Sequence, residues 1–224
     1  MENRNPYISQ ETNILLIAGE NGAGKNKIQE IFFKKCISGK CYIIDMRKEI
    51  IMTAQNQSIF IQTDDEISEY ATRMRRAHGA GYFLKEALDR INTEYAYIIV
   101  NSMRHPDEYK VALDYTPRVY VVGVLAAPLN APKEEKELAD MLRFKRIQER
   151  GDGVRKYNSF EEFLAKDKKE WIPLDDLDFA SQNVKGCIDL AVNPTGFLVI
   201  NNAGEDYLEQ QLVVHLSEHN LLAS

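Results

Sequence analysis

Short apolar runs alternate with longer amphipathic stretches along this chain, and that alternation constrains the fold more than any other feature. The strand candidates are Asn13–Ala18, Lys40–Asp45, Tyr95–Val100, Arg118–Val124 and Phe197–Ile200. The third and fourth are nearly continuous in apolar residues, as expected of strands covered on both faces of a parallel sheet. Between the runs the period changes. Lys25–Cys36 carries Ile28, Ile31, Phe32 and Phe33 at helical spacing. Asp64–Ala77 follows Thr63-Asp64-Asp65-Glu66, which has the form of a capping box. Gly81–Ile91, Lys133–Arg150, Ser159–Trp171 and Tyr207–His219 also read as helices, with Ser159 as an N-cap and Glu162 completing its box. Strand-then-helix repetition predicts an α/β fold: about five parallel strands in three layers, with helices on both faces.

The turn between the first strand and the first helix has its own chemistry. Gly19-Glu-Asn-Gly-Ala-Gly-Lys25 fits G-x-x-x-x-G-K. Glycines let consecutive backbone N–H groups curl around an anion, and the following helix points its positive end at it. The lysine adds a charge near the β- and γ-phosphates. Gly19, Asn21, Gly22, Ala23, Gly24, Lys25, Asn26 and Lys27 are therefore the candidate phosphate-binding residues. The alternative is an ordinary Gly-rich strand-to-helix turn. Asn26 is unusual, because a Ser or Thr hydroxyl at that position ordinarily ligates Mg²⁺. An amide oxygen can coordinate a hard cation, or hold one of its waters.

Length and composition narrow the setting. A chain of 224 residues is expected to form one domain, 1–224, that buries its core without staples. Its net charge of −6 argues against a general affinity for nucleic acid. The three cysteines, Cys36, Cys41 and Cys187, are too few and too loosely spaced for a disulfide framework or a zinc site. The segment 1–12 has no apolar signal region, and no run approaches the ~18 apolar residues of a membrane helix. The expectation is a soluble, cytoplasmic protein.

Further segments add to the loop. Tyr42-Ile-Ile-Asp-Met-Arg47 places an acid and an arginine after the second strand. Arg73-Met-Arg-Arg-Ala-His-Gly79 ends a helix with arginines. Ile99-Val-Asn-Ser-Met-Arg-His-Pro-Asp-Glu108 follows the third strand. Leu142–Gly151 is an arginine-rich helix end, followed by Phe160-Glu-Glu-Phe163 and Asp167-Lys-Lys-Glu170, and Phe197–Gly204 closes with an Asn-x-Gly loop. In this order, these segments resemble the P-loop nucleoside-monophosphate-kinase family. They look most like the dephospho-coenzyme A kinase-like members and the small deoxynucleotide kinases of archaea and bacteriophages. Two asparagines depart from the pattern: Asn26 replaces the hydroxyl residue, and Asn101 the usual acid at the end of the third strand.

The resemblance implies a P-loop fold with a helical lid over about 133–182 and substrate-binding helices over about 58–92. It implies ATP and Mg²⁺ as cofactors and a nucleotide or nucleotide-like acceptor, with no nucleic acid or membrane partner. Lys25, Asp45, Arg146 and Arg150 are the candidate catalytic residues. Arg143, Arg146 and Arg150, at i, i+3 and i+7, share one helix face that would grip the phosphoryl group. The other reading of that face is a solvated one, paired with Glu134, Glu135 and Glu149. Arg47, Arg73 and Arg104 are acceptor-side candidates, with Arg75 and Arg76 as alternates that spacing does not exclude. Asn202 and Gly204 are expected near the nucleotide base, and Asn26 and Asp45 near the metal. The rival reading, motivated by the two asparagines, is a nucleotide-binding sensor or regulatory domain that has lost efficient catalysis.

Overall fold

The computed structural model describes residues 5–35, 41–149, 157–173 and 180–222. Five strands form one sheet: β1 (Asn13–Gly19), β2 (Cys41–Asp45), β3 (Tyr97–Met103), β4 (Val119–Leu125) and β5 (Gly196–Ile200). Their order is β2-β3-β1-β4-β5, and every pairing is parallel. All five expected strands are present.

The apolar runs are explained by coverage on both faces. In β1, Leu15 and Ile17 pack into one core, and Ile14, Leu16 and Ala18 into another; all five are fully buried. The first core is closed by α1 (Lys25–Lys35) and α9 (Glu205–Glu218). The second is closed by α2 (Met46–Asn56), α3 (Asp64–His78), α4 (Tyr82–Asp89), α5 (Pro106–Leu113) and α8 (Val184–Ala191). A strand buried on both sides has no polar parity, so alternation is lost and a continuous run results. Helices α6 (Lys133–Glu149) and α7 (Phe160–Trp171) build a smaller core of Ile147, Tyr157 and Phe163.

Sequence periodicity missed α2, α5 and α8. Each is short, 8 to 11 residues, and each is held by its N-terminus. Asp45 caps α2 by accepting from the N–H groups of Arg47 and Lys48, which starts the helix with no loop after β2. His105 caps α5 with Pro106 at its first position, and Asn183 caps α8. The Thr63 capping box is present as expected. Ser159 caps α7 as expected, but the Glu162 carboxylate accepts from Asn158 N–H at 2.8 Å, one residue before the expected donor.

The connectivity positions the cleft. From β1 the chain crosses α1 on one face to the β2 edge; from β3 it crosses α5 on the other face to β4. The two connections diverge, so a crevice opens beyond the C-terminal ends of β1 and β3, where open parallel sheets bind ligands. The β1–β3 ladder slips there: Ile17 pairs with Asn101, but Ala18 pairs with Met103. Ser102, the extra residue, is held at φ +71°. A bulged, left-handed non-glycine at a strand end re-aims the chain at this rim.

Candidate active site

Gly19–Lys25 runs from the end of β1 into α1, and its conformation depends on glycine. Gly22 and Gly24 have φ of +76° and +103°. A Cβ on Gly22 would stand 2.6 Å from the Arg143 carbonyl oxygen, and one on Gly24 would stand 2.2 Å from Asn201 Nδ2. The glycines thus serve the packing of the loop against its neighbours as well as its curl. Lys25 is buried, and its ammonium donates to the carbonyls of Gly19 and Glu20, both at 2.9 Å.

The loop faces a cleft of about 460 Å³. Asn21, Gly22, Gly24, Lys25 and Asn26 line one wall. Asp45 and Arg47 from the β2 end, Arg75 from α3, and Asn101 and Arg104 from the β3 end line the rest. A hollow of about 600 Å³ adjoins it between the start of α3 and α7, and a 2.7 Å ion pair from Lys166 to Asp65 joins those two helices.

Several expected residues are placed differently from the sequence reading. Lys27 turns away, pairing with Glu30 at 3.1 Å and Glu205 at 2.6 Å, while its N–H bonds to Gly24 O. Arg73 lies outside the cleft, over the Tyr70 ring at 5.3 Å to its centroid. Arg75, two residues on, points the other way and enters the cleft. Asn202 and Gly204 are exposed and do not line it; Asn201 is the residue that meets the loop, donating to Ala23 O at 2.8 Å. Arg146 donates to Asn201 O at 3.0 Å and to its Oδ1 at 3.3 Å. Arg150 falls outside the described residues.

Arg143 leaves the solvent altogether. It is 2% exposed and donates to Asn21 O at 3.0 Å, Asp140 at 2.6 Å and Asp167 at 2.9 Å. Its Nε lies 3.5 Å from Glu20, and its guanidinium covers the Phe163 ring. Asn21 continues the network, donating to Glu170 at 2.8 Å and accepting from Arg104 at 3.2 Å. Glu170 also pairs with Arg104 at 3.0 Å. The Asp-x-x-Glu pair of α7 therefore clasps the loop and Arg104 together, which spacing alone did not indicate.

The arginines around the cleft differ in their partners. Arg47 is paired with Asp64 and Arg104 with Glu170. Arg75 is 3% exposed, and its side chain makes no hydrogen bond or ion pair among the described residues. The charge that most favours its protonated form is Glu108, in the first turn of α5. Burial pushes the Glu108 carboxyl up from 4.5 to about 6, against Arg75 and backbone N–H groups at Arg104 and His105 that favour its charge. The folded state holds this proton more tightly than the unfolded chain. The stability it contributes is complete below about pH 4.5 and is lost as pH rises through about 6. That loss is on the order of 2 kcal/mol. Glu108→Gln is expected to remove that fall between pH 4.5 and 7, read by urea melts of the two proteins at both pH values.

At the metal position the donors are amides. Asn101 donates to Asn26 Oδ1 at 2.9 Å and to Gln29 Oε1 at 2.8 Å. Asp45, expected to help, gives one oxygen to the α2 cap, 3.1 Å from Arg47 N and 3.3 Å from Lys48 N. No group of three or more His, Cys, Asp or Glu able to hold a metal occurs among the described residues. Mg²⁺ prefers carboxylate and phosphate oxygens in a near-ideal octahedron, so these residues do not fit a cation held by the protein itself. Nor is any described helix long and apolar enough to cross a membrane.

No family model matches the chain, and no curated protein sequence matches it. Solved structures do. The shikimate kinase of Acinetobacter baumannii, determined in complex with shikimate, is 14% identical; the match covers 93% of this chain and 96% of that one at a TM-score of 0.51. TT1252 from Thermus thermophilus is 15% identical, covering 93% and 98% of the two chains at a TM-score of 0.52. At such identities the likeness concerns the fold alone. The chain has the α/β fold of P-loop kinases, five parallel strands in the order 2-3-1-4-5 flanked by helices.

Proposed function

We propose that the chain transfers a phosphoryl group from ATP to a small anionic acceptor. The observation that carries this reading is a single cleft that joins a P-loop on one wall to a buried arginine on another, whose Nε has no hydrogen-bond partner among the described residues. Phosphoryl transfer asks a protein for positioning and charge neutralisation more than for covalent chemistry. Gly19–Lys25 and the first turn of α1 would hold the donor phosphates. Arg146 acts on that loop through Asn201. Arg104, tied to Asn21 and Glu170, stands between donor and acceptor sides. Asp45 keeps one carboxylate oxygen outside its capping bonds, and that oxygen serves to orient or deprotonate the acceptor. Helices α6 and α7 act as the lid.

Nucleotides or nucleotide-like molecules, on the pattern of nucleoside monophosphates or dephospho-coenzyme A, are the proposed acceptors. Their phosphate would meet Arg75. Burial makes its charge costly despite Glu108 nearby, and an incoming anion relieves that cost. Arg75→Met is therefore expected to raise the acceptor KM at least tenfold with ATP affinity unchanged, and its stability should fall more at pH 7 than at pH 4.5, because Glu108 loses the charge that favours its ionised form. Arg73→Met, outside the cleft, should shift neither constant by more than twofold. Steady-state kinetics with both substrates varied, together with thermal melts, tests the pair.

A second reading is a nucleotide sensor with little turnover, favoured by the amides of Asn26 and Asn101. The readings separate in single-turnover assays with γ-labelled ATP and a panel of nucleoside monophosphates, dephospho-coenzyme A and shikimate. Label transfer to one acceptor supports the kinase. Tight ATP binding with transfer to none of them supports the sensor.

A further inference from the structure

The amides at the cleft floor have a defined polarity. Asn101 is 7% exposed, and both of its amide hydrogens are used, one on Asn26 Oδ1 and one on Gln29 Oε1. Its Oδ1 is buried and has no hydrogen-bond partner among the described residues. Turning the three amides over would instead bury an Asn101 NH₂ with two unpaired hydrogens, so the observed polarity is the less costly one. Its consequence falls on Asn26. The oxygen of that side chain takes a hydrogen bond from Asn101, while its NH₂ makes no hydrogen bond among the described residues and is the end left for a ligand beside the P-loop.

An NH₂ group donates hydrogen bonds and cannot ligate a cation. It suits a phosphate oxygen. Asp45, the cleft carboxylate at the end of β2, already serves the α2 cap with one oxygen, and Asp167 and Glu170 accept from Asn21 of the loop. We infer that Asn26 recognises the donor nucleotide's phosphates as a hydrogen-bond donor, and that the chain binds nucleotide without holding a divalent cation of its own. This rests on the reading of Gly19–Lys25 as the nucleotide site. The buried Asn101 oxygen then stands as an acceptor for a ligand hydroxyl or a water at the same rim.

Calorimetric titration with a non-hydrolysable ATP analogue tests this by the sign of a substitution. The parent protein is expected to bind the analogue in EDTA with less than a tenfold loss relative to excess Mg²⁺. Asn26→Asp still accepts from Asn101, so the local network survives, and a thermal melt verifies the fold. Its second carboxylate oxygen would face phosphate, and affinity is expected to fall at least tenfold with or without Mg²⁺. If the protein held the cation at residue 26, the outcomes would reverse. A tenfold or greater loss on adding EDTA to the parent, or unchanged or tighter binding of the Mg²⁺ form by Asn26→Asp, overturns the inference and leaves the nucleotide site standing. Absence of binding by the parent under both conditions overturns the nucleotide site, and the inference with it.

Discussion

Lys25→Ala is expected to weaken ATP binding by at least about 100-fold while the protein remains folded. The Lys25 ammonium sits under the loop, bonded at 2.9 Å to the carbonyls of Gly19 and Glu20. It is 7% exposed, so little water competes for it. A phosphate arriving in the loop exchanges carbonyl partners for charged oxygens. Charge-assisted hydrogen bonds contribute about 1.5–3 kcal/mol each, and two of them give the stated factor. The substitution leaves the buried Gly19 carbonyl and the part-buried Glu20 carbonyl without their donor, so the melting temperature should fall by several degrees with the fold retained. Equilibrium dialysis with labelled ATP and a thermal melt check the two halves. Parent-like ATP affinity in Lys25→Ala would mean that the loop is not the phosphate site.

Arg143→Ala is expected to destabilise the fold by about 3–5 kcal/mol, the range for removing one partner from a buried ionic cluster. For a domain of this size that is roughly a 10 °C fall in Tm. The cause is what Arg143 leaves behind. Asp140, Asp167 and Glu20 converge on one guanidinium, and Asn21 O loses its donor. Burial already raises the Glu20 carboxyl, and Arg143 is the main opposing influence. Without it the folded-state Glu20 carboxyl binds its proton more tightly, so the deficit should shrink as pH falls and grow as pH rises. Arg143→Met combined with Asp140→Asn and Asp167→Asn removes most of the stranded charge, and should recover a large part of the lost stability. Denaturant melts of the three proteins at pH 5 and 7.5 distinguish stranded charge from lost packing. Equal losses in the single and triple variants would assign the effect to packing over Phe163 instead.

What was legible in the chain itself was contiguous or periodic. The five strands show as apolar runs because both of their faces are buried. The P-loop shows because its glycines, lysine and flanking elements lie within one short segment, and the Thr63 cap shows because its partners are three residues apart. The short helices α2, α5 and α8 lacked such a signal, since caps and tertiary packing hold them rather than a long amphipathic stripe.

The residues that meet across the cleft were decided by the tertiary structure. Arg73 and Arg75 are separated by about 200° on a helix, so one faces outward whenever the other faces in. Nothing local says which, because the rotation of α3 is set by how Ile67, Tyr70, Ala71 and Met74 pack into the core. Arg143 and Arg146 share a helix face, yet one is sealed in an acidic cluster and the other reaches Asn201, because α7 and the loop after β5 approach that face at different heights. Asn26 and Asn101, 75 positions apart, acquire their polarity only when α1 lies over the end of β3. Sequence determined that this chain carries a G-x-x-x-x-G-K turn on a doubly covered parallel sheet. Packing determined which charges are free to act there, because a side chain's partners in space depend on every element that folds against it.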